Sequence, residues 1–317
     1  MNIPTLFVIG AGASAGYNLP LGSDLAKKIV RNLGHTKPSP DQYGGTKQAA
    51  AIEMELRDLA LRLQESRSPT IDAFLRHSEN REYLLSAMAN VIWEAEDEAL
   101  KYSPDSSDDW LAWLYHNRLK REPGRFVRNE FSVVSFNYDR LPRAILSAMM
   151  CNLFDAPIEE CIAVVDSPVC DGIPRFTHIH GCINAPLKAR SGNREDARRV
   201  RSWFTGRSAT LDCSGLSTMF DTSHADRVRH QIANLVRWAD RIIFLGIGYH
   251  QEMLDLFNIE GGTGVQSWLK SKEFVGGTAF KLDRGTQGRL SSWGGDRFAA
   301  GTRHEGCTAF LARCLAE

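Results

Sequence analysis

The 317-residue chain has no excess of charge of either sign, with 38 Lys and Arg against 38 Asp and Glu. No global field therefore draws it to nucleic acid or to an anionic membrane surface. No apolar run approaches the ~20 residues that span a bilayer. The start of the chain lacks both a basic lead and a long apolar core, so no secretory leader is expected and a cytoplasmic location is. The seven cysteines are odd in number and none forms a C-x-x-C pair. Free thiols are expected, and neither a disulfide framework nor a structural zinc site. Internal repeats and low-complexity tails are also missing. What remains has the composition of an ordinary soluble globular protein, long enough for one large domain.

The chain is organised around its first twenty-two residues. The apolar run Leu6 to Ile9 suits a buried parallel strand and is too short for a helix. It runs into Gly10, Gly12 and Gly16, and Leu21 to Leu33 reads as a helix. A strand, a glycine turn and a helix N-terminus together offer N–H groups and a dipole to phosphate. Gly10, Ala11, Gly12, Ala13 and Ser14 are accordingly expected to cradle a nucleotide pyrophosphate. The pattern departs from G-x-G-x-x-G, since Gly16 falls one position late.

Further along, a loop over 34–48 leads to a helix over 49–66. A second helix, capped by Thr70 with Asp72 in its first turn, breaks near Ser78 and continues through Leu84, Met88, Ile92 and Ala95. Asp108 or Asp109 caps a third, Trp110 to Leu119. These make a helix-rich insertion at about 49–120. Strands are expected at Phe131–Phe136, Cys161–Val165, Arg175–Ile179, Arg241–Leu245 and Thr278–Leu282. Helices are expected at Arg140–Cys151, His224–Trp238, from Met253, and at His304–Leu315. Residues 184–223 read as a loop-rich, locally basic insertion, and 260–277 as a Gly-rich loop around a short helix. Strands that alternate with helices imply a single α/β domain with a doubly wound, Rossmann-like, mostly parallel sheet.

In such sheets ligands sit at the carboxyl ends of the strands. Five polar clusters fall at those ends: Gly10–Ser14, Asn137–Asp139, His180–Gly181, Gly246–His250 and Asp283. One shared cleft accounts for them better than five coincidences. There an amide such as Asn137 can orient a hydroxyl or water, and a carboxylate such as Asp139 can bind a ribose diol or stabilise a developing cation. A histidine such as His180 can take a proton near neutral pH. Cleaving a dinucleotide's N-glycosidic bond passes through an oxocarbenium-like state, and a cationic nicotinamide leaves without a general acid. Hydride transfer fits less well, because the ribose-binding acid expected ~20 residues after the glycine turn has only Asp41 to supply it.

Taken in order, these motifs resemble the sirtuin family. Its Gly-Ala-Gly-x-Ser opening, Asn-x-Asp end, His-Gly end and Gly-x-Ser end correspond here to Gly10–Ser14, Asn137–Asp139, His180–Gly181 and Gly246–Gly248. The resemblance spans residues 5 to 283. It implies that Asn137 orients water and ribose, that His180 is the general base and that Gly10 to Ser14 hold the phosphates. Gly246 and Gly248 would contact the far phosphate and ribose, with Asp283 near the adenosine. Two features depart from sirtuin deacylases: Leu19-Pro-Leu-Gly22 replaces Pro-Asp-Phe-Arg, and only Cys182 and Cys213 stand where a four-cysteine zinc module would lie. Gly248 also replaces the last serine. Asn137-Tyr-Asp139 and Ser68-Pro-Thr-Ile-Asp72-Ala-Phe-Leu75 look like bacterial sirtuin-like proteins of anti-phage defence, which hydrolyse NAD to nicotinamide and ADP-ribose. The resemblance implies NAD as substrate, no metal, and control by a homo-oligomer or a separate sensor or regulatory subunit. A subunit is expected because a chain of this length has little room for its own sensor. A binding module for NAD or ADP-ribose is the alternative, and a protein deacylase is the third reading.

Overall fold

Thr5–Ile9 (β1) is enclosed along its whole length, and the sheet is built outward from it on both sides. The computed structural model describes residues 1–38, 40–41, 45–66, 71–75, 77–99, 108–182, 222–259 and 267–315. After β1 come α1 (Ala11–Ala15), α2 (Gly22–His35), α3 (Thr46–Glu65), α4 (Ile71–Leu75), α5 (Arg81–Ala99), α6 (Trp110–Asn117) and α7 (Pro123–Phe126). Then follow β2 (Phe131–Ser135), α8 (Leu141–Phe154), α9 (Ile158–Val165), β3 (Phe176–His178), α10 (Thr222–Trp238) and β4 (Arg241–Leu245). The chain continues with α11 (Gln251–Leu256), β5 (Phe274–Gly277), α12 (Arg284–Gly294), β6 (Ala299–Ala300) and α13 (Cys307–Cys314).

The six strands form one sheet in the order β3-β2-β1-β4-β5-β6, and every pairing is parallel. The fold is thus the expected doubly wound, Rossmann-like one. Its order reverses between β1 and β4, which opens a crevice there. Alternate residues serve opposite faces. Phe7, Ile9, Phe131, Val133, Ile243 and Leu245 pack against α6, α8, α9 and α13. Leu6, Val8, Val134, Ile242, Phe244 and Val275 pack against α10, α11 and α12.

The helical insertion divides. Helices α3, α4 and α5 join α2 in a third cluster around Leu59, Leu84 and Met88, which also takes in Tyr138. Helix α6 belongs to the first face instead: Trp110 is buried there and its indole N–H donates to the Ala13 carbonyl at 2.8 Å. At the amino ends of β2 and β3 the buried Arg175 acts as a clip. Its guanidinium donates to the carbonyls of Asn129 (2.9 Å), Phe131 (3.3 Å), Val127 (3.2 Å) and Ser167 (3.0 Å) and lies 4.7 Å from the Phe131 ring. Burial lowers its pKa to about 10, so it stays charged at neutral pH.

Two expected strands are corrected. Cys161–Val165 lies in α9, because Pro157 stands at its N-cap and Glu159 and Glu160 favour its first turn. The strand placed at Thr278–Leu282 lies earlier, at Phe274–Gly277. Its Gly276 and Gly277 leave room for the Ala299 carbonyl and the Tyr249 hydroxyl, which a Cβ would meet at 2.5 and 2.3 Å. The Thr70 cap and residues 184–221 of the expected loop-rich insertion lie outside the described residues.

Candidate active site at the strand ends

Register places the site. Ile9 pairs with Ser135 and with Leu245, and Ser135 pairs with His178, so four strands end in one row. At ~4.8 Å between strands the row spans roughly 14 Å. The residues that follow it carry four of the five expected clusters. The fifth lies outside this row: Asp283 lies beyond β5 and caps α12, accepting from the Thr286 N–H (2.9 Å) and hydroxyl (2.7 Å). These bonds hold its carboxyl below the usual range. The polar residue that does end β5 is Thr278, whose hydroxyl accepts from the Gly246 N–H at 2.8 Å.

At the switch between β1 and β4 the two turns touch backbone to backbone. The Gly10 and Gly12 N–H groups donate to the carbonyls of Leu245 (3.0 Å) and Gly246 (2.9 Å). A Cβ on Gly10 would meet the Gly246 carbonyl at 2.8 Å, and one on Gly12 its Cα at 2.8 Å. Gly246 has φ +61, and a Cβ there would meet the Ala13 nitrogen at 1.9 Å. The glycines are required by this contact, which differs from the expected role of lining a phosphate. Ala13 N–H is also spent, on Gly10 O (2.9 Å). Of the residues expected to hold phosphate, Ala11 and Gly248 are the exposed ones, while Gly10, Ala13 and Ser14 are buried. Among the described residues the Ala11 N–H has no protein acceptor, so it is the donor this turn can offer a ligand.

Behind the turn lies a closed polar cluster. The Asn137 amide donates to Gly10 O and to Ser14 Oγ, both at 3.0 Å. Ser14 Oγ donates to Asp139 Oδ2 at 3.0 Å, and Asp139 Oδ1 accepts from the Leu141 N–H at 3.1 Å, at the start of α8. Ser14, Asn137 and Asp139 are all buried. Asn137, the amide expected to orient water and ribose, therefore spends both its hydrogens on fastening the β2 end to the β1 turn. Asp139 is pushed up to about 7, first by burial and then by Glu96, against the hydrogen bonds it receives. A carboxyl poised there can exchange a proton at neutral pH.

Glu96 is the residue that sequence reasoning missed. It reaches the site from α5 and pairs with Arg140, both side chains being 3% exposed. It accepts from the Arg140 backbone N–H (2.6 Å), Nε (3.2 Å) and Nη2 (2.6 Å). Its signal was present, since Glu96 falls four residues after Ile92 on the apolar face of the helix.

His180 is buried beside two aromatic rings, 5.2 Å from Tyr138 and 6.1 Å from Phe136. Burial lowers the neighbouring His178 to about 4 and so keeps it neutral. On the other side Tyr249 follows Gly248 with φ +47, is fully buried, and donates its hydroxyl to Thr278 O at 3.0 Å. Among the described residues no group of three or more His, Cys, Asp or Glu is arranged to hold a metal ion.

The fold and site thus define an all-parallel, doubly wound α/β protein with a buried Ser–Asn–Asp cluster and a histidine beside its switch point. Comparison with protein-family models matches none, and comparison with characterised proteins finds no relative.

Proposed function

We propose that this protein hydrolyses NAD to nicotinamide and ADP-ribose, as the effector of a bacterial anti-phage defence system controlled by an oligomer or a partner subunit. The observation that carries the reading is the row of strand ends, which sets the Gly10 turn, Asn137–Asp139, His180 and Gly246–Gly248 side by side. The defence role and the partner rest on the sirtuin resemblance alone. In the reaction, water adds to C1′ of the ribose. The C1′–N1 bond breaks with its electron pair going to the pyridinium nitrogen, and the water's proton is lost. Asp139, balanced between its two protonation states, or His180 receives that proton. Asn137 is a positioning residue that holds Ser14 and the turn in place. Ala11 and Gly248 offer exposed backbone to the phosphates.

The second reading, a module that binds NAD or ADP-ribose without turnover, is favoured by one feature: Ser14, Asn137, Asp139 and His180 are all at most 6% exposed. That burial equally fits an enzyme held closed until it assembles. Nicotinamide release from NAD, measured beside Asp139→Asn and His180→Ala, separates them. Release by the wild type and its loss in either variant supports hydrolysis. Calorimetric binding of NAD without release would mean either the module or an enzyme waiting for its partner. Release only with an added acyl-lysine peptide would return the deacylase reading, and neither release nor binding would remove NAD from the account.

A further inference from the structure

Helix α8 starts at the site and runs back along the sheet for about 21 Å, at ~1.5 Å per residue over its 14 residues. It ends at the opposite pole, where a groove of about 480 Å³ opens between its last turn and the turn that follows α6. Leu119 and the final α8 residues Leu153 and Phe154 give the groove its apolar lining. Leu153 is 51% exposed and Phe154 36%. Large side chains paired in this way at a helix end are the kind of surface that a partner covers.

The rim is basic. The lining carries three cations, Lys120, Arg121 and Arg125, and one carboxylate, Glu122, on a protein of net charge zero. The carboxylate, Glu122, is already paired with Arg125 at 3.1 Å. Arg121 rests 3.3 Å from His116 Nδ1, and among the described residues no carboxylate pairs with Lys120 or Arg121. An apolar lining beside unmatched cations is complementary to an amphipathic segment with carboxylates flanking its apolar anchors.

We propose that this groove docks an acidic amphipathic peptide segment of a partner protein. Its apolar anchor covers Leu153 and Phe154, and its carboxylates meet Lys120 and Arg121. A nucleic acid suits the surface less well, because a phosphate backbone brings nothing to cover the aliphatic leucines and Phe154 stands alone as a stacking ring. The inference is independent of the NAD reading. The groove lies at the far pole from the strand ends, so an occupant leaves the candidate active site open.

The test is fluorescence anisotropy on the full chain. The probe is a labelled peptide with Leu and Trp at i, i+3, i+4 and i+7 and glutamate elsewhere. The expected result is saturable binding that weakens with salt and falls about tenfold or more in Lys120→Glu/Arg121→Glu and in Phe154→Ser, the loss of one or two anchoring contacts. Arg121 and Phe154 are exposed and Lys120 is half-buried, and an unchanged melting temperature confirms that the variants fold. Three results would each overturn the proposal: no saturable binding, unaltered affinity in both variants, or tighter binding of single-stranded DNA or of a lysine-for-glutamate peptide.

Discussion

Replacing Asp139 with asparagine should stabilise the protein at alkaline pH while removing its proposed activity. The wild-type carboxyl is displaced from 3.8 to about 7 by burial, with a smaller contribution from Glu96. An acid raised in this way binds its proton more tightly in the folded state, so folding takes up protons between the two values. The group's contribution is best below about pH 4. It declines as pH rises, and the penalty is complete above about pH 7. The displacement converts to roughly 4 kcal/mol near pH 8 and roughly 2 kcal/mol near pH 5. Asparagine removes the charge and keeps one acceptor. Its NH2 cannot accept, so one of the two donors, the Ser14 hydroxyl or the Leu141 N–H, loses its partner, about 1–2 kcal/mol. The variant should therefore be about 2–3 kcal/mol more stable than wild type near pH 8 and about equal to it near pH 5. Urea unfolding at both pH values, with the slope checked for constancy, measures this. A variant weaker by the same amount at both would mean an ordinary, ionised carboxylate, and the proton-transfer role would go with it.

The buried pair makes a second prediction. Glu96→Leu and Arg140→Met should each cost about 3–5 kcal/mol, and the double variant should cost at least about 2 kcal/mol less than their sum. Strict additivity in denaturant melts would show that the two side chains are not coupled. Gly246→Ala should fail to fold or lose more than about 3 kcal/mol, because its new methyl overlaps the Ala13 nitrogen at a positive φ. An alanine variant melting with the wild type would dismiss the backbone contact between the turns. Thr278→Val should lose about 1–3 kcal/mol by orphaning the Gly246 N–H, while Thr278→Ser, which keeps the acceptor, should stay close to wild type. Equal melting temperatures for the two would remove that hydrogen bond from the account.

The strands nearest the centre were legible because they are buried on both faces. Thr5–Ile9, Phe131–Ser135 and Arg241–Leu245 read as apolar runs bounded by turns, and each was found within a residue of its expected end. The edge strand Phe176–His178 was also found within a residue of its expected ends, but the β5–β6 side of the sheet was not legible. Residues Phe274–Gly277 carry two glycines for steric reasons that belong to Tyr249 and β6, which a local pattern does not contain. Cys161–Val165 has the composition of a strand, and only its upstream Pro and Glu residues mark a helix. The four adjacent site clusters were visible as polar residues after apolar runs. Their internal wiring was not, since the Ser14–Asp139 bond joins residues 125 apart in sequence. Asp283 stands apart from the row of strand ends at the start of α12, a place the local pattern does not give, because a capping aspartate and a ligand-binding one look alike until the helix start is known.

The Glu96–Arg140 pair also bears on how the chain can be taken apart. A segment inserted between two strands is ordinarily a candidate for trimming, with the sheet left as a minimal core. Here removing α3 to α5 would strip Arg140 of its counter-charge and leave Tyr138 without the cluster that covers it. Both residues flank Asp139. The helical segment is therefore no detachable module: sheet and insertion share one polar joint, and a shortened chain would lose its candidate active site along with the helices.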